Sequence, residues 1–469
     1  MRLSTLVEAL GTAVLERPGA DPEVQSVSHD SRAVRPGALF CCVPGDHVDG
    51  HDFASTAVAD GAVALLVERP LHLGVAEVVV PSVRVAMAPI AARFHGDPSR
   101  QLHVVGVTGT NGKTTTVHLL AAALEAGGRA TGQIGTLTGV RTTPEAPELQ
   151  ATLARLLAQG RTAVAMEVSS HALAVHRADA TWFEVAVFTN LSQDHLDFHG
   201  TMDAYFEAKA SLFDPARCGR AVVDVDDEWG ARLASRLEHD GRLPLVRCSL
   251  DLLADLDVGL TSCTFSWRGQ QLRVPLGGRH NAANALLAAE AAVAVGVDAA
   301  DVVSGLAAAV PVPGRFEPVD VGQDFAVVVD YAHTPDGLVK LLEAVRSTSE
   351  GAVIVVFGCG GDRDAGKRPA MGRAAAEGAD LVVVTSDNPR SESPQAIIEA
   401  VTAGIPRGAD VVVEPDRRAA IDLALRRAHA ADVVVVAGKG HETTQTVGER
   451  VLPFDDREVV RDLLTGAAS

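Results

Sequence analysis

The stretch Gly106-Val107-Thr108-Gly109-Thr110-Asn111-Gly112-Lys113-Thr114-Thr115-Thr116 decides the fold. It follows the apolar run His103-Val104-Val105 and leads into a helical pattern from Val117 to Ala126. A strand, a glycine-rich turn, a lysine and a hydroxyl, then a helix: this order of parts holds a nucleoside triphosphate. Turn amides face phosphate oxygens, and the helix N-terminus adds positive potential. Gly109, Thr110, Asn111, Gly112, Lys113, Thr114 and Thr115 are the expected cradle. Lys113 would reach the β and γ phosphates, and the Thr114 hydroxyl would ligate Mg²⁺. In the usual GxxxxGK[ST] spacing the first glycine would fall on Val107. Gly106 stands one residue too early, so the loop is a variant, TGTNGKTTT.

Around that loop the chain reads as an α/β protein of about three domains, on its 469 residues. The net charge of −19 argues against nonspecific nucleic-acid binding through a basic face. Cys41, Cys42, Cys218, Cys248, Cys263 and Cys359 form no CxxC pair, so reduced, cytoplasmic thiols are expected. MRLSTLVEALG lacks the basic-then-apolar pattern of a signal peptide, and no uncharged apolar stretch reaches the ~18 residues of a membrane span.

Residues 1–98 mix short apolar runs with Gly, Pro and Asp, as a small α/β domain would, and Asp97-Pro98-Ser99 reads as a linker. Within 99–311, strands at 103–107, 163–167, 185–189 and 221–225 alternate with helical segments, the signature of a mostly parallel sheet. Asn284 to Val295 is Ala/Leu-rich and helical. Pro311, Pro313 and Gly314 mark a second linker. Residues 312–469 carry short β-branched runs at Val327-Val329, Val353-Phe357, Leu381-Thr385, Val411-Val413 and Val433-Ala437. Runs of this kind are buried parallel strands, and the third domain is expected to be Rossmann-like.

Sites of open α/β sheets form at the carboxyl ends of their strands. One apolar run, Ala163-Met166, ends in Glu167, a candidate second Mg²⁺ ligand beside the phosphate loop. Another ends in Thr189-Asn190-Leu191-Ser192-Gln193-Asp194-His195-Leu196-Asp197-Phe198-His199, whose histidines and aspartates could bind metal or cap and hydrogen-bond. In the third domain, strand ends lead into Gly358-Cys359-Gly360-Gly361-Asp362-Arg363, Ser386-Asp387-Asn388-Pro389-Arg390 and Gly438-Lys439-Gly440-His441-Glu442. Two arginines and a glutamate suit a ligand bearing both carboxylate and ammonium, such as an amino acid.

Taken together these motifs resemble the Mur ligases of peptidoglycan synthesis. TGTNGKTTT, Glu167-Val168-Ser169-Ser170-His171, Thr189 to His195, Tyr205-Phe206-Glu207-Ala208-Lys209, Pro313-Gly314-Arg315-Phe316, Asp330-Tyr331-Ala332-His333-Thr334-Pro335 and Gly438 to Glu442 match that family in order. Asp30-Ser31-Arg32 and Pro36 to Phe40 resemble the UDP-binding domain of its members that add the third peptide residue. The resemblance implies three domains: UDP-muramoyl substrate binding in 1–98, ATP binding in 99–311 and amino-acid binding in 312–469. It also implies a reaction. ATP phosphorylates the γ-carboxylate of the D-Glu residue in UDP-N-acetylmuramoyl-L-alanyl-D-glutamate. The amine of meso-diaminopimelate then displaces phosphate, giving an amide. A cytoplasmic monomer acting without nucleic acid or membrane is expected.

By the same resemblance Lys113, Glu167, His195 and Lys209 form the catalytic set. Thr114, Glu167, His195 and a CO₂-carbamylated Lys209 would hold Mg²⁺. Asn281, Asn284, Arg315, Asp330 and His333 would complete the ATP site. Ser31, His47, Thr142, Thr143, Ser169 and Arg177 would hold the UDP substrate. Arg363, Asp387, Asn388, Arg390, Gly438 and Glu442 would hold the amino acid. Asp387-Asn388-Pro389-Arg390 is the pattern associated with diaminopimelate, whose far carboxylate lysine lacks. The chain departs from the family in a shortened Gly135–Thr142 segment and in Val175, where a polar residue is common. Alternatives are a ligase for L-lysine or another diamino acid, a folylpolyglutamate synthase-like ligase, and a regulatory protein that binds nucleotide without ligating.

Overall fold

The computed structural model describes residues 1–466, except 17, 18, 46, 47 and 140. Three sheets, one after another along the chain, carry the architecture. The first has four parallel strands in sequence order: Ser26–Ser28, Ala38–Cys41, Ala64–Val67 and Ala76–Val79. Each is flanked by short helices, the longest being Val83–Phe94. Asp97-Pro98-Ser99 is more than a linker. It enters a 3₁₀ turn, Pro98–Arg100, and the buried Ser99 hydroxyl accepts the Trp182 amide at 3.0 Å.

The second sheet is wholly parallel and doubly wound. Its spatial order is Leu245–Cys248, Ala221–Asp224, Val185–Phe188, His103–Thr108, Ala163–Glu167, Thr131–Ile134. The strand leading into the phosphate loop is central, and its neighbours continue the chain in opposite directions. That reversal opens a crevice at the carboxyl end of His103–Thr108, where such sheets bind ligands. Apolar residues fill both faces of these strands, as the unbroken runs in the sequence require. The phosphate-loop helix, Lys113–Ala126, begins four residues earlier than its apolar pattern. It packs against Arg279–Ala294 and Ala299–Ala307, burying Leu119, Leu120 and Leu124 completely. Each such leucine contributes roughly 2 kcal/mol. A small antiparallel sheet, Ala254–Val258, Cys263–Trp267 and Gln270–Val274, joins this core.

The third sheet runs Glu317–Pro318, Ala326–Asp330, Val433–Ala437, Val353–Phe357, Leu381–Val384, Val411–Val413, parallel but for the first strand. The three strand ends with polar clusters are therefore adjacent in space. A hairpin, Thr444–Val447 with Arg450–Pro453, stands outside the sheet. All six cysteines are buried and unpaired, and burial pushes the thiols of Cys42, Cys218, Cys263 and Cys359 up to about 12. Among the described residues no helix is long and apolar enough to cross a membrane.

Candidate active site

The phosphate loop is shaped by two glycines that no other residue replaces. Gly109 has φ +153°, and a Cβ there would sit 1.8 Å from the Thr189 hydroxyl oxygen. Gly112 has φ +84°, and its Cβ would sit 2.3 Å from Asn284 Oδ1. The loop leans on the Thr189 segment: Thr110 and Asn111 amides donate to the Asn190 carbonyl and side chain, each at 2.9 Å. Lys113 curls back over the loop and donates to the carbonyls of Gly109 and Thr110, both at 2.9 Å. Burial lowers its pKa.

Behind the loop the amides form a relay. The Thr116 hydroxyl donates to Asn284 Oδ1, Asn284 donates to Asn281 Oδ1, and Asn281 donates to the Gly277 carbonyl. A cavity of about 680 Å³ opens beside it, between the second and third sheets. Asn111, Gly112, Thr115, Asn281 and Asn284 line it from one side, and Arg315, Asp330 and His333 from the other. Arg315 stacks on the Tyr331 ring at 4.2 Å and reaches the Thr114 hydroxyl at 3.4 Å. Asp330 accepts the Phe316 and Ala332 amides, and burial raises its pKa. His333 is held by the Tyr331 carbonyl, with burial lowering its pKa to about 4. Two cavity residues outside the expected set stand out. Asp336 accepts from Asn111 at 3.2 Å, tying the phosphate loop to the third unit. Asp224, at a strand end, is pushed up to about 7 by burial.

Glu167 lies on the other side of Thr114, whose hydroxyl donates to it at 3.1 Å. Thr136, which sequence reasoning missed, gives it an amide at 2.8 Å and a hydroxyl at 3.2 Å. Its signal was its place just past an edge strand, Thr131–Ile134, too polar to read as one. Thr142 meets the Thr136 hydroxyl at 3.1 Å. The Thr143 hydroxyl donates to the Glu167 carbonyl at 3.0 Å and accepts the Ser169 amide at 3.1 Å. Ser169 caps the helix Ser170–Ala174. Arg177 pairs with the buried Glu145 at 2.8 Å. Ser31 stands at the start of a 3₁₀ turn on the first unit, beside the Asp30–Arg32 ion pair. His47 lies outside the described residues.

Lys209 is the most unusual side chain of the site. It comes from the helix Met202–Ala210, is 1% exposed, and donates to the Gly109 carbonyl at 2.7 Å. Its ammonium sits 4.6 Å over the Tyr205 ring. Burial, reinforced by the Lys113 charge, lowers its pKa well below that of an ordinary lysine. His195, in a left-handed conformation (φ 54°), stacks edge-on with His171 at 4.6 Å. Burial lowers its pKa to about 4, although Asp194 lies 3.3 Å away. Among the described residues no group of three His, Cys, Asp or Glu side chains is assembled to hold a metal. The hard oxygens of Thr114 and Glu167, side by side at the helix start, are nonetheless the donor types Mg²⁺ takes.

The third unit gathers its own cluster. Asn388 donates to Glu442 at 2.7 Å. Burial raises the pKa of Asp387, which crowds Gly438 (φ +114°) so that a Cβ there would lie 2.6 Å from its carboxylate. Arg390, also left-handed (φ 50°), donates to the Gly361 carbonyl at 2.6 Å. Arg363 donates to the Asp362 carbonyl at 3.0 Å. Lys439, fully buried and absent from the expected set, donates to Glu442 at 3.2 Å. The three polar strand-end loops thus converge.

Three family models match the chain in order: Mur ligase family, catalytic domain, over residues 23–95; Mur ligase middle domain, over 107–292; and Mur ligase, glutamate ligase domain, over 314–440. Two curated relatives named UDP-N-acetylmuramoyl-L-alanyl-D-glutamate--2,6-diaminopimelate ligase match end to end. That of Geobacillus thermodenitrificans is 44% identical over 98% of this chain and 99% of its own. That of Gloeobacter violaceus is 46% identical over 99% and 98%. A solved structure of a ligase of the same name superposes with a TM-score of 0.69 at 34% identity, covering 99% of both chains. The chain belongs to the Mur ligase family, whose members are ATP-dependent ligases. A folylpolyglutamate synthase from Mycobacterium tuberculosis shares the fold (TM-score 0.61, 21% identity) but covers only 76% of this chain.

Proposed function

We propose that the chain joins meso-diaminopimelate to UDP-N-acetylmuramoyl-L-alanyl-D-glutamate at the expense of ATP, in cytoplasmic peptidoglycan precursor synthesis. The observation that carries the reading is the position of Glu167. One face of it meets Thr114 of the phosphate loop, and its strand end carries Thr143 and Ser169. A triphosphate on the loop and a peptide carboxylate on Thr142, Thr143, Ser169 and Arg177 would meet there. In this reading residues 1–98 bind the uridine end through Ser31 and His47, 99–311 bind ATP, and 312–469 bind the amino acid.

The chemistry follows from the side chains. A carboxylate is a poor electrophile, so the substrate γ-carboxylate attacks the γ phosphorus, expels ADP and becomes an acyl phosphate. Lys113 uncurls from its loop carbonyls to neutralise charge on the transferred group. Arg315, Asp330, His333, Asn281 and Asn284 hold the nucleotide in the cavity. Asp387, Asn388, Gly438 and Glu442 orient the amine end of the incoming amino acid, and Arg363 and Arg390 grip its far carboxylate. The amine then attacks the acyl carbon and phosphate leaves. Thr114, Glu167 and His195 would hold Mg²⁺ together with Lys209 as its carbamate. When bound, the ion supplies positive charge opposite the phosphates. Formation of the carbamate suits this lysine, because CO₂ reacts with a neutral amine and burial disfavours the ammonium. The ammonium first gives up a proton, and the neutral amine nitrogen then bonds to the CO₂ carbon and gives up a second, so that a buried cation becomes an anion.

The test is phosphate release from ATP. It should require UDP-N-acetylmuramoyl-L-alanyl-D-glutamate and an amino acid together, with meso-diaminopimelate best in a panel. Phosphate release with folate and glutamate instead, or nucleotide binding with no ligation, would overturn the reading.

A further inference from the structure

The hairpin Thr444–Pro453 binds no part of its sheet, yet its first strand lies along the loop that carries Asp387, Asn388 and Arg390. Its hydrogen bonds there go to residues of that loop or of its partner loop. The Gln445 side chain donates to the Asp387 carbonyl at 2.7 Å. The Thr446 amide donates to Asn388 Oδ1 at 2.9 Å, while the other end of the same side chain donates to Glu442. Asn388 is therefore pinned from both ends, with its amide facing one way only. Arg390 is held on both sides of its backbone: its amide donates to the Thr446 carbonyl at 3.0 Å, and its carbonyl accepts from Gly448 at 2.7 Å. That clamp matters because Arg390 occupies the left-handed region, which a side chain adopts only when its surroundings hold it there. Lys439 completes the frame, bridging Glu442 and the Thr444 carbonyl.

We propose that this hairpin is a strap that sets the conformation of the amino-acid loop, and that Gln445 is a positioning residue for specificity. Among the described residues the strap has no hydrogen bond to the phosphate loop or to the groups around Glu167. The inference rests on the reading of the 387–390 loop as the amino-acid pocket. Releasing one hydrogen bond should loosen the loop and weaken diaminopimelate binding about ten-fold, leaving the chemistry alone.

The experiment is steady-state kinetics on Gln445→Ala, Gln445→Glu and Thr446→Pro, with Arg390→Ala as reference. Gln445→Glu keeps the shape but cannot donate, and Thr446→Pro removes the amide given to Asn388. The expected result is a KM for diaminopimelate raised about ten-fold in both Gln445 variants and more in Thr446→Pro. The kcat and the KM values for ATP and the UDP substrate should stay within two-fold, with Tm unchanged for the Gln445 variants. If Arg390→Ala destroys diaminopimelate use while the strap variants behave as wild type, the strap is overturned and the pocket stands. If Arg390→Ala is also silent, the pocket reading fails and the strap with it. A fall in kcat with KM raised to a similar extent for all three substrates marks a merely structural hairpin and likewise overturns the proposal.

Discussion

Lys209 shows how far a single residue can depart from its sequence context. In the sequence it is a lysine four residues after a tyrosine on an amphipathic helix, ordinarily a solvated charge. In the fold it is sealed beneath the phosphate loop with another lysine nearby, where a cation is badly placed. Conversion to a carbamate would relieve that conflict. Lys209→Ala should therefore lose nearly all ligase activity, on the order of a hundred-fold or more, and recover part of it with a short carboxylic acid. ¹³CO₂-labelled wild type should show a carbamate carbon by NMR. No signal and no rescue would remove Lys209 from the catalytic set. Asp224 gives a second, quieter prediction. Burial holds its pKa near 7, above the 3.8 of an unfolded chain, so the folded state favours the protonated acid. The stability this contributes is complete below about pH 4 and is lost as pH rises towards about 7. Asp224→Asn should accordingly raise Tm more at pH 8 than at pH 4 or below. An equal shift at both pH values would show that its ionisation costs the fold nothing.

At the level of elements, legibility followed burial. Val353–Phe357 and Val433–Ala437 are covered on both faces, so their sequences are unbroken apolar runs and announce themselves as parallel strands. Thr131–Ile134 lies at a sheet edge, with Gly and Gln among its four residues, and carries no such run. Thr444–Val447 and Arg450–Pro453 are short and mostly exposed, and the first of them is hydrogen-bonded to a loop distant in sequence. No local pattern encodes that. The phosphate loop was legible because its constraint is local. Gly112 must take a positive φ to start the helix, and its missing Cβ makes room for Asn284. Gly112→Ala should push Asn284 out of its relay with Thr116 and Asn281. We expect the KM for ATP to rise at least ten-fold while binding of the UDP substrate is preserved. An unchanged KM for ATP would mean that the loop tolerates the side chain and that its shape is set elsewhere.

Across the whole molecule the site is assembled from separate sheets. Asn111 meets Asp336, and Arg315 meets Thr114, between the second and third units. Motifs in order named Asn111, Thr114 and Arg315 but not Asp336, and these cross-unit pairs depend on docking that periodicity does not report. The same modularity makes specificity separable from chemistry. Arg390 belongs to the third unit alone, so Arg390→Ala should collapse the preference for diaminopimelate over L-lysine by harming diaminopimelate, chiefly through KM. A site built to pair a polar group rejects the analogue lacking it by roughly 10⁴-fold. Initial rates against both amino acids decide it; an unchanged ratio would move the reader of the third residue away from this loop. Finally, the six sealed thiols leave the outside of the protein chemically silent towards maleimides. Cysteines introduced at exposed Leu252 and Val413, on the second and third units, could then carry a fluorescent donor and acceptor without first stripping the native ones. The wild-type chain is its own unlabelled background, and the distance between the two units, changing during turnover or not, can be watched one molecule at a time.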